Sequence, residues 1–299
     1  MVFTVTAPGV ITLRPYTPAD AAAVLALVNA DHLPGQPAAT AEMLTEAIEG
    51  RSVVDAQWWA ALELPATWVA VSGTDRLVGV ISYARRPKDD TGQLLWLHSG
   101  EDAAVTETLI SHAINAFAPR PIEAFQFASA LSLGLEALPI AHRPATDAAL
   151  RKAGFTAERL WRYMRTDLPA PDLPTLRHMR ETASSEHTGA RRLEARRLWH
   201  TIAEAEVQVS VHGIGVLWWI EVLPNQRGRG FGRRMLGSSL ARLAELGARE
   251  AILYVDDDAP QGDPRDRTAA NTLYETAGFI EVDRLYSYTL AATHTNPKT

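Results

Sequence analysis

Hydrophobic and polar positions along the chain fall into two successive runs of similar order. In the first, Val10–Arg14 reads as a short strand, and an Ala-rich helix follows from Thr17-Pro18-Ala19-Asp20, with proline in its first turn. Trp68–Val71 and Leu77–Tyr83 alternate as strands around the turn signal Ser72-Gly73-Thr74-Asp75, which predicts a hairpin. Leu94–His98 is an apolar strand. Val105, Leu109, Ile110, Ala113, Ile114 and Phe117 recur at helical spacing. Ile122–Ala128 is strand-like, Ala145–Ala153 helical up to the capping Gly154, and Ala157–Thr166 a final strand.

The second run repeats this. Glu194–Thr201 and Ala203–Val211 are strand candidates, and Leu217–Leu223 is an apolar strand stopped by Pro224. A glycine turn, Gly228–Gly232, leads into a helix over Phe231–Leu246. Ala251–Val255 is a strand, Thr268–Ala277 a helix capped by Gly278, and Phe279–Leu290 a last strand. The two runs share an Ala-Gly-Phe at their last helix end, Ala153–Phe155 and Ala277–Phe279. Each is followed by a strand bearing tyrosine, Tyr163 and Tyr288, so the pattern suggests two copies of one fold. Between the runs, Leu168-Pro169-Ala170-Pro171-Asp172-Leu173-Pro174 denies backbone donors to any ladder and reads as a linker. The expected domains are therefore 1–168 and 175–299, joined by 169–174.

Composition narrows the function classes. The chain has 299 residues, 46% hydrophobic and 21% charged, with a net charge of −6. That balance argues against a nucleic-acid partner and modestly favours cationic ones such as amines. There are no cysteines, which excludes disulfides, thiolate metal sites and cysteine nucleophiles. Met1–Thr12 lacks the basic flank and apolar core of a signal peptide, and no stretch is apolar for long enough to span a membrane. The expectation is a cytoplasmic protein with no membrane partner.

The chemistry concentrates after the Trp218–Val222 strand. Gly228, Gly230 and Gly232 alternate with Arg227, Arg229, Phe231, Arg233 and Arg234 at a helix start. Successive backbone N–H groups there face one concavity, the helix dipole adds positive potential, and glycines let a ligand approach the backbone. That combination suits a pyrophosphate. The spacing is neither the Gly-x-Gly-x-x-Gly of dinucleotide folds nor a P-loop.

These residues resemble the acyl-CoA loop of the GNAT acyltransferase superfamily: Arg227-x-x-Gly230-x-Gly232 after a strand ending Val222-x-Pro224, with Tyr274 four residues before Gly278-Phe279. The layout is similar to the tandem two-domain arrangement of mycothiol-synthase-like proteins. The resemblance implies an α/β (α+β) fold of two GNAT-like domains, each a mixed, mostly antiparallel twisted sheet flanked by helices. It implies acetyl-CoA as co-substrate and transfer of acetyl to a primary amine of a small molecule, with no metal. It places the pantetheine arm along Ile220, Val222 and Leu223, the pyrophosphate on Arg227, Gly228, Arg229, Gly230, Phe231, Gly232 and Arg233, and Asn271 among the cofactor-binding residues. Tyr274 would give a proton to the departing thiolate. For the base that frees the amine, Glu221, Glu204, Glu206, His212 and Asp256 are candidates, Glu221 and Glu206 being carried forward; a water chain is the other route. Strict alternation puts Trp218, Ile220 and Val222 on one face and Glu221 on the other. Glu204, Glu206, Gln208, Ser210 and His212 form a polar face on the preceding strand, lining either a wet cavity or a solvated sheet face.

Three departures stand out. Pro174–Glu194 leaves little room for a first strand and two helices, so the N-terminal domain or a second chain is expected to wall the acceptor side. Asp256–Arg267 is long and acidic, without the ligand spacing of a calcium loop, and reads as a solvated or cation-steering rim. In the first copy Ser99-Gly100-Glu101-Asp102 replaces the glycine loop and Leu150 replaces the tyrosine, so that copy is expected to be inactive. Exposed strands near the C-terminus suit a homodimer. A non-catalytic acyl-CoA sensor or scaffold, and acetylation of a protein or peptide amine, are the competing functions.

Overall fold

The computed structural model describes residues 10–52, 54–170, 173–197, 199–210, 212–256, 259–260, 262–263 and 266–292. In chain order the elements begin β1 (Thr12–Pro15), α1 (Ala21–Ala30), α2 (Ala41–Ile48), α3 (Ala56–Trp59), β2 (Ala66–Val71), β3 (Leu77–Arg86) and β4 (Thr91–His98). Then come α4 (Ala103–Phe117), β5 (Ile122–Ala124), β6 (Leu138–Pro139), α5 (Pro144–Lys152), β7 (Thr156–Asp167), β8 (Arg180–Ala183), β9 (Arg191–Arg197), β10 (His200–Val209) and β11 (Ile214–Val222). The last are α6 (Phe231–Glu245), β12 (Glu250–Val255), α7 (Thr268–Thr276) and β13 (Ile280–Leu290).

Two compact units emerge. The first takes the chain up to His32, Ala38–Arg159 and the chain from Leu285 onward; the second takes Leu33–Pro37 and Leu160–Arg284. The chain thus passes between units within β7 and within β13. The proline-rich stretch lies inside the second unit: Leu168, Ala170, Leu173 and Leu176 pack on its core, and Ser238 Oγ accepts from the Leu176 N–H at 2.8 Å.

In the first unit the strand order is β1-β2-β3-β4-β5, with residues 288–290 of β13 antiparallel to β5. Within this unit β4 and β5 are parallel and the neighbouring pairs from β1 to β4 antiparallel. Val105, Leu109, Ile110, Ala113 and Phe117 of α4 are buried against this sheet's Ile81, Leu94 and Leu97, which is the stripe their spacing predicts. The second unit runs β7-β12-β11-β10-β9-β8, with β11 and β12 parallel and the neighbouring pairs otherwise antiparallel. Met235, Leu236, Leu240 and Leu243 of α6 bury into Ala205, Val207, Leu217 and Leu253. Both units therefore have the mixed, mostly antiparallel sheet with flanking helices that the resemblance implies.

Candidate acyl-CoA site

The second unit opens where β11 and β12 part. They pair only at Ile214–Val216 with Glu250–Ile252, while β11 continues to Val222 and β12 to Val255. β10 holds β11 along its other side from Val209↔Gly215 to Ala203↔Val222. The β12-facing backbone of Leu217–Val222 is thus left as a free strand edge, the kind of surface to which an extended ligand adds.

The glycine loop follows directly. Pro224–Gln226 makes a single 3-10 turn, and Gly228 and Gly230 adopt φ of 74° and 78°. A side chain there would be strained, so glycine is needed for the turn itself. Gly230 is the N-cap of α6 and offers no capping side chain; the first helical acceptor is the Gly230 carbonyl, taken by Arg234 N–H at 3.2 Å. From Gly228 to Arg233 the backbone N–H groups find no acceptor among the described residues. Arg229, Arg233 and Arg234 are exposed and pair with no acid among the described residues, whereas Arg227 Nε donates to the Val222 carbonyl at 3.1 Å and holds the loop to the strand. Unused donors, a helix N-terminus and unpaired guanidinium groups together form a strong anion site.

Helix α7 closes the group. A Cβ on Gly232 would stand 3.6 Å from Leu273 Cδ2 and 3.8 Å from Val222 Cγ2, so the first turn of α6, the end of β11 and α7 converge there. Asn271 Nδ2 donates to the Asp256 carbonyl at 2.9 Å, and its Oδ1 accepts from Arg162 at 2.7 Å. Asn271 therefore anchors α7 to the end of β12. Tyr274, beside Leu273, is 6% exposed, its ring edge-on to Phe279, and burial pushes its phenol up to about 12. Ile220 and Val222 are half-buried on the α6 side, and Leu223 is exposed.

The base candidates separate sharply. Glu221 is exposed and lies opposite Glu204, which is ion-paired with Arg192 at 2.9 Å. Ser210 and the exposed His212 lie beyond the end of β10. Asp256 stands 3.9 Å from Arg267. The acidic rim is described only in part, since residues 257, 258, 261, 264 and 265 lie outside the described residues. Glu206 is fully buried: one carboxylate oxygen accepts from Ser184 Oγ at 2.6 Å and the other from His187 Nδ1. His187 in turn stacks flat on Trp218, centroids 4.4 Å apart and planes 1° from parallel.

Strict alternation fails on β11 for a local reason. The register steps from Glu206↔Trp219 to Val207↔Leu217, leaving Trp218 as the extra residue of a bulge. Trp218 consequently does not share the face of Ile220 and Val222; its Nε1–H donates to Gln208 at 2.9 Å. The polar face of β10 is neither a wet cavity nor a solvated sheet over its middle, because the loop between β8 and β9 covers it. That loop is tied down by Glu206 and by Gln208 Nε2, which donates to the Thr188 carbonyl at 3.0 Å. Sequence reading missed His187 for this reason: it lies in a loop with no periodicity, and its partner is 19 residues away. Glu186, His187 and Glu206 bring one ligand-type atom each within 4.8 Å of one another, a proximity that the His187–Glu206 hydrogen bond itself produces.

The first unit treats the corresponding places differently. Asp102 caps α4, its Oδ1 accepting from the Ala104 and Val105 N–H groups at 3.0 Å. Glu101 turns away to bind Arg143 at 2.6 Å and the N–H groups of Ala145 and Thr146. At the end of the three paired positions of β4 and β5 the Leu94 carbonyl accepts from the Phe125 N–H at 3.0 Å, and further along β4 the Leu97 carbonyl accepts from Arg143 at 2.9 Å, so both of these acceptors are already taken.

The acetyltransferase (GNAT) family model matches residues 186–279. A mycothiol acetyltransferase of Geodermatophilus obscurus is 38% identical over 66 residues, which are 22% of this chain and 19% of that protein's length. The solved GCN5-related N-acetyltransferase from Sphaerobacter thermophilus superposes with a TM-score of 0.59 at 16% identity, over 94% of this chain and 95% of that one. A tandem GNAT protein from the clavulanic acid biosynthesis pathway gives 0.61 at 14% identity over 96% and 100%. At such identities these two structures speak to fold alone. The strand, glycine loop, helix and tyrosine described above all lie inside the segment that the acetyltransferase (GNAT) family model matches, and the fold resembles that of the solved tandem GNAT protein.

Proposed function

We propose that the second unit transfers an acetyl group from acetyl-CoA to a primary amine of a small molecule. The observation that carries this is the run of unused N–H donors from Gly228 to Arg233 beside the free edge of β11. The donors and the arginines would hold the pyrophosphate, and the edge from Leu217 to Val222 would bond the pantetheine arm as a neighbouring strand would. Held there, the thioester meets the amine at high effective concentration. Tyr274 supports the transfer: a phenol shifted to about 12 stays protonated at neutral pH and can deliver its proton as the carbon–sulfur bond breaks. A CoA sensor would have no use for that group. The first unit serves as structure, since Asp102 and Phe125 occupy what a CoA would need.

The test is a thermal shift with acetyl-CoA on wild type and on Gly230→Asp, followed by thiol release with a panel of primary amines. At about 100 times its dissociation constant the ligand stabilises by roughly 2.7 kcal/mol, a rise on the order of 2–8 °C. The rise is expected in wild type and absent in the variant. No rise in wild type overturns the reading.

A further inference from the structure

We propose that His187, oriented by the buried carboxylate of Glu206, is the base that takes the proton from the attacking amine. The inference rests on the acyl-transfer reading above and supplies the group that reading leaves unassigned.

Glu206 cannot itself meet a substrate. It has no exposed surface, and its two oxygens are taken by Ser184 and His187. A fully buried carboxylate is costly to keep, and hydrogen-bond partners offset the cost only when both oxygens are served, as here. What it does in that position is fix one neighbour. By accepting from Nδ1 it selects the tautomer of His187 that carries hydrogen on Nδ1 and a lone pair on Nε2. The flat stack on Trp218 fixes the plane of the ring. Nε2 lies on the ring edge away from Glu206, has no partner among the described residues, and belongs to a side chain that is 29% exposed.

The place is as specific as the orientation. Trp218 is the bulged residue of β11, two positions past the last pairing with β12 at Val216. His187 therefore sits over the strand where the edge becomes free. The backbone also builds the loop for this purpose: Ser184 Oγ accepts from the N–H groups of Glu186 and His187 at 3.0 and 3.2 Å, and the Ser184 N–H donates to the Ala190 carbonyl at 2.9 Å. A hydroxyl that accepts from the loop and donates to Glu206 couples the loop's shape to the carboxylate.

The step balances simply. The acceptor arrives as the free amine, having left one proton with solvent. As its nitrogen lone pair forms the bond to the thioester carbon, Nε2 of His187 takes the proton that nitrogen must shed. The carbon–sulfur bond breaks, the thiolate leaves with the Tyr274 proton, and the imidazolium proton returns through solvent to the phenolate. The products are the amide and free CoA thiol. His187 is then a catalytic residue and Glu206 a positioning residue.

The experiment uses the full chain and follows thiol release from acetyl-CoA with spermidine, glucosamine and tyramine, and with water alone as nucleophile. His187→Ala is expected to lower kcat by about 100-fold or more with acetyl-CoA binding unchanged, to lower the melting temperature because buried Glu206 loses one of its two partners, and to regain part of the rate with added imidazole. His187→Gln is the second variant where alanine disturbs the loop. Glu206→Gln is expected to lower kcat by about 10-fold, within the range seen when an orienting partner is lost. Nitrogen-15 NMR of the histidines should show a single Nδ1–H tautomer for His187 in wild type and a mixture in Glu206→Gln. An Nε2–H tautomer in wild type, a variant at position 187 with wild-type kcat, or one that loses acetyl-CoA binding in parallel with rate overturns the proposal. A wild type that binds no acetyl-CoA overturns the acyl-transfer reading, and this proposal with it.

Discussion

Tyr274 carries its phenol in the core of the second unit, where ionisation is disfavoured by burial. Removing the oxygen alone costs the fold little, so Tyr274→Phe should keep its melting temperature and its affinity for acetyl-CoA while kcat falls by about 100-fold. An equal loss of binding and rate would mark the residue as packing only. The same shift bears on stability. A group whose folded pKa is raised stabilises the fold below its unfolded value, near 10 for tyrosine, and that stabilisation fades as pH climbs through the folded value. Tyr163 and Tyr288 are shifted upward as well, chiefly by burial. Melting temperature is therefore expected to hold from pH 7 to about 10 and drop between 10 and 12; a flat profile to pH 12 would contradict it. The place of Tyr274 on α7 was legible in the sequence because its distance from Gly278-Phe279 is short and fixed by one helix. The place of His187 was not, because it depends on a contact between a loop and a strand.

At the scale of elements, α6 shows how glycines differ. Gly237 faces the backbone of the proline-rich stretch, where an added Cβ would come within 2.4 Å of the Pro174 carbonyl. Gly237→Ala should destabilise by about 1–3 kcal/mol, because the helix or the stretch must move. Gly228→Ala meets nothing within 4 Å and pays only for its left-handed backbone, about 1–2 kcal/mol. Denaturant titrations of both variants should also separate them by function, the second alone weakening acetyl-CoA binding. The helices and long strands were readable from apolar spacing: α4 and α6 start within two residues of where the periodicity put them. The elements it did not reveal are short or dictated from outside. β8 is four residues of mixed polarity, made a strand by pairing with β9. The bulge at Trp218 is invisible in a run of apolar residues, and with it the true facing of β11.

Across the whole molecule, the repeat in sequence is a repeat of form: each unit carries a parallel pair within its otherwise antiparallel sheet, β4 with β5 and β11 with β12. Acetyl-CoA should bind with a stoichiometry of one per chain by titration calorimetry; two sites would contradict the roles of Asp102 and Phe125 in the first unit. The segment Leu33–Pro37 belongs to the second unit, packed on β7 and β12. Gln36 Nε2 donates to Tyr163 and Tyr254 at 3.2 and 3.0 Å, and Tyr163 donates to the Pro34 carbonyl at 2.7 Å. A fragment over 175–299 would lack both that segment and β7, which pairs with β12 from Glu250 to Val255. It should show neither a cooperative melt nor acetyl-CoA binding, and a folded, active fragment would refute this. The two runs were legible from sequence; the passages between units within β7 and β13 were not, since composition marks prolines and cannot mark a strand shared by two units.

That change of partners sets a timetable during synthesis. Residues 288–290 complete the first unit beside Ile122–Ala124, so that unit waits on the ribosome while the whole stretch 160–284 is being made. Contacts so far apart in sequence are slow to form. Until the final strand emerges, the nascent first unit exposes an unpaired edge at β5, and chaperones that shield such edges would find their client there.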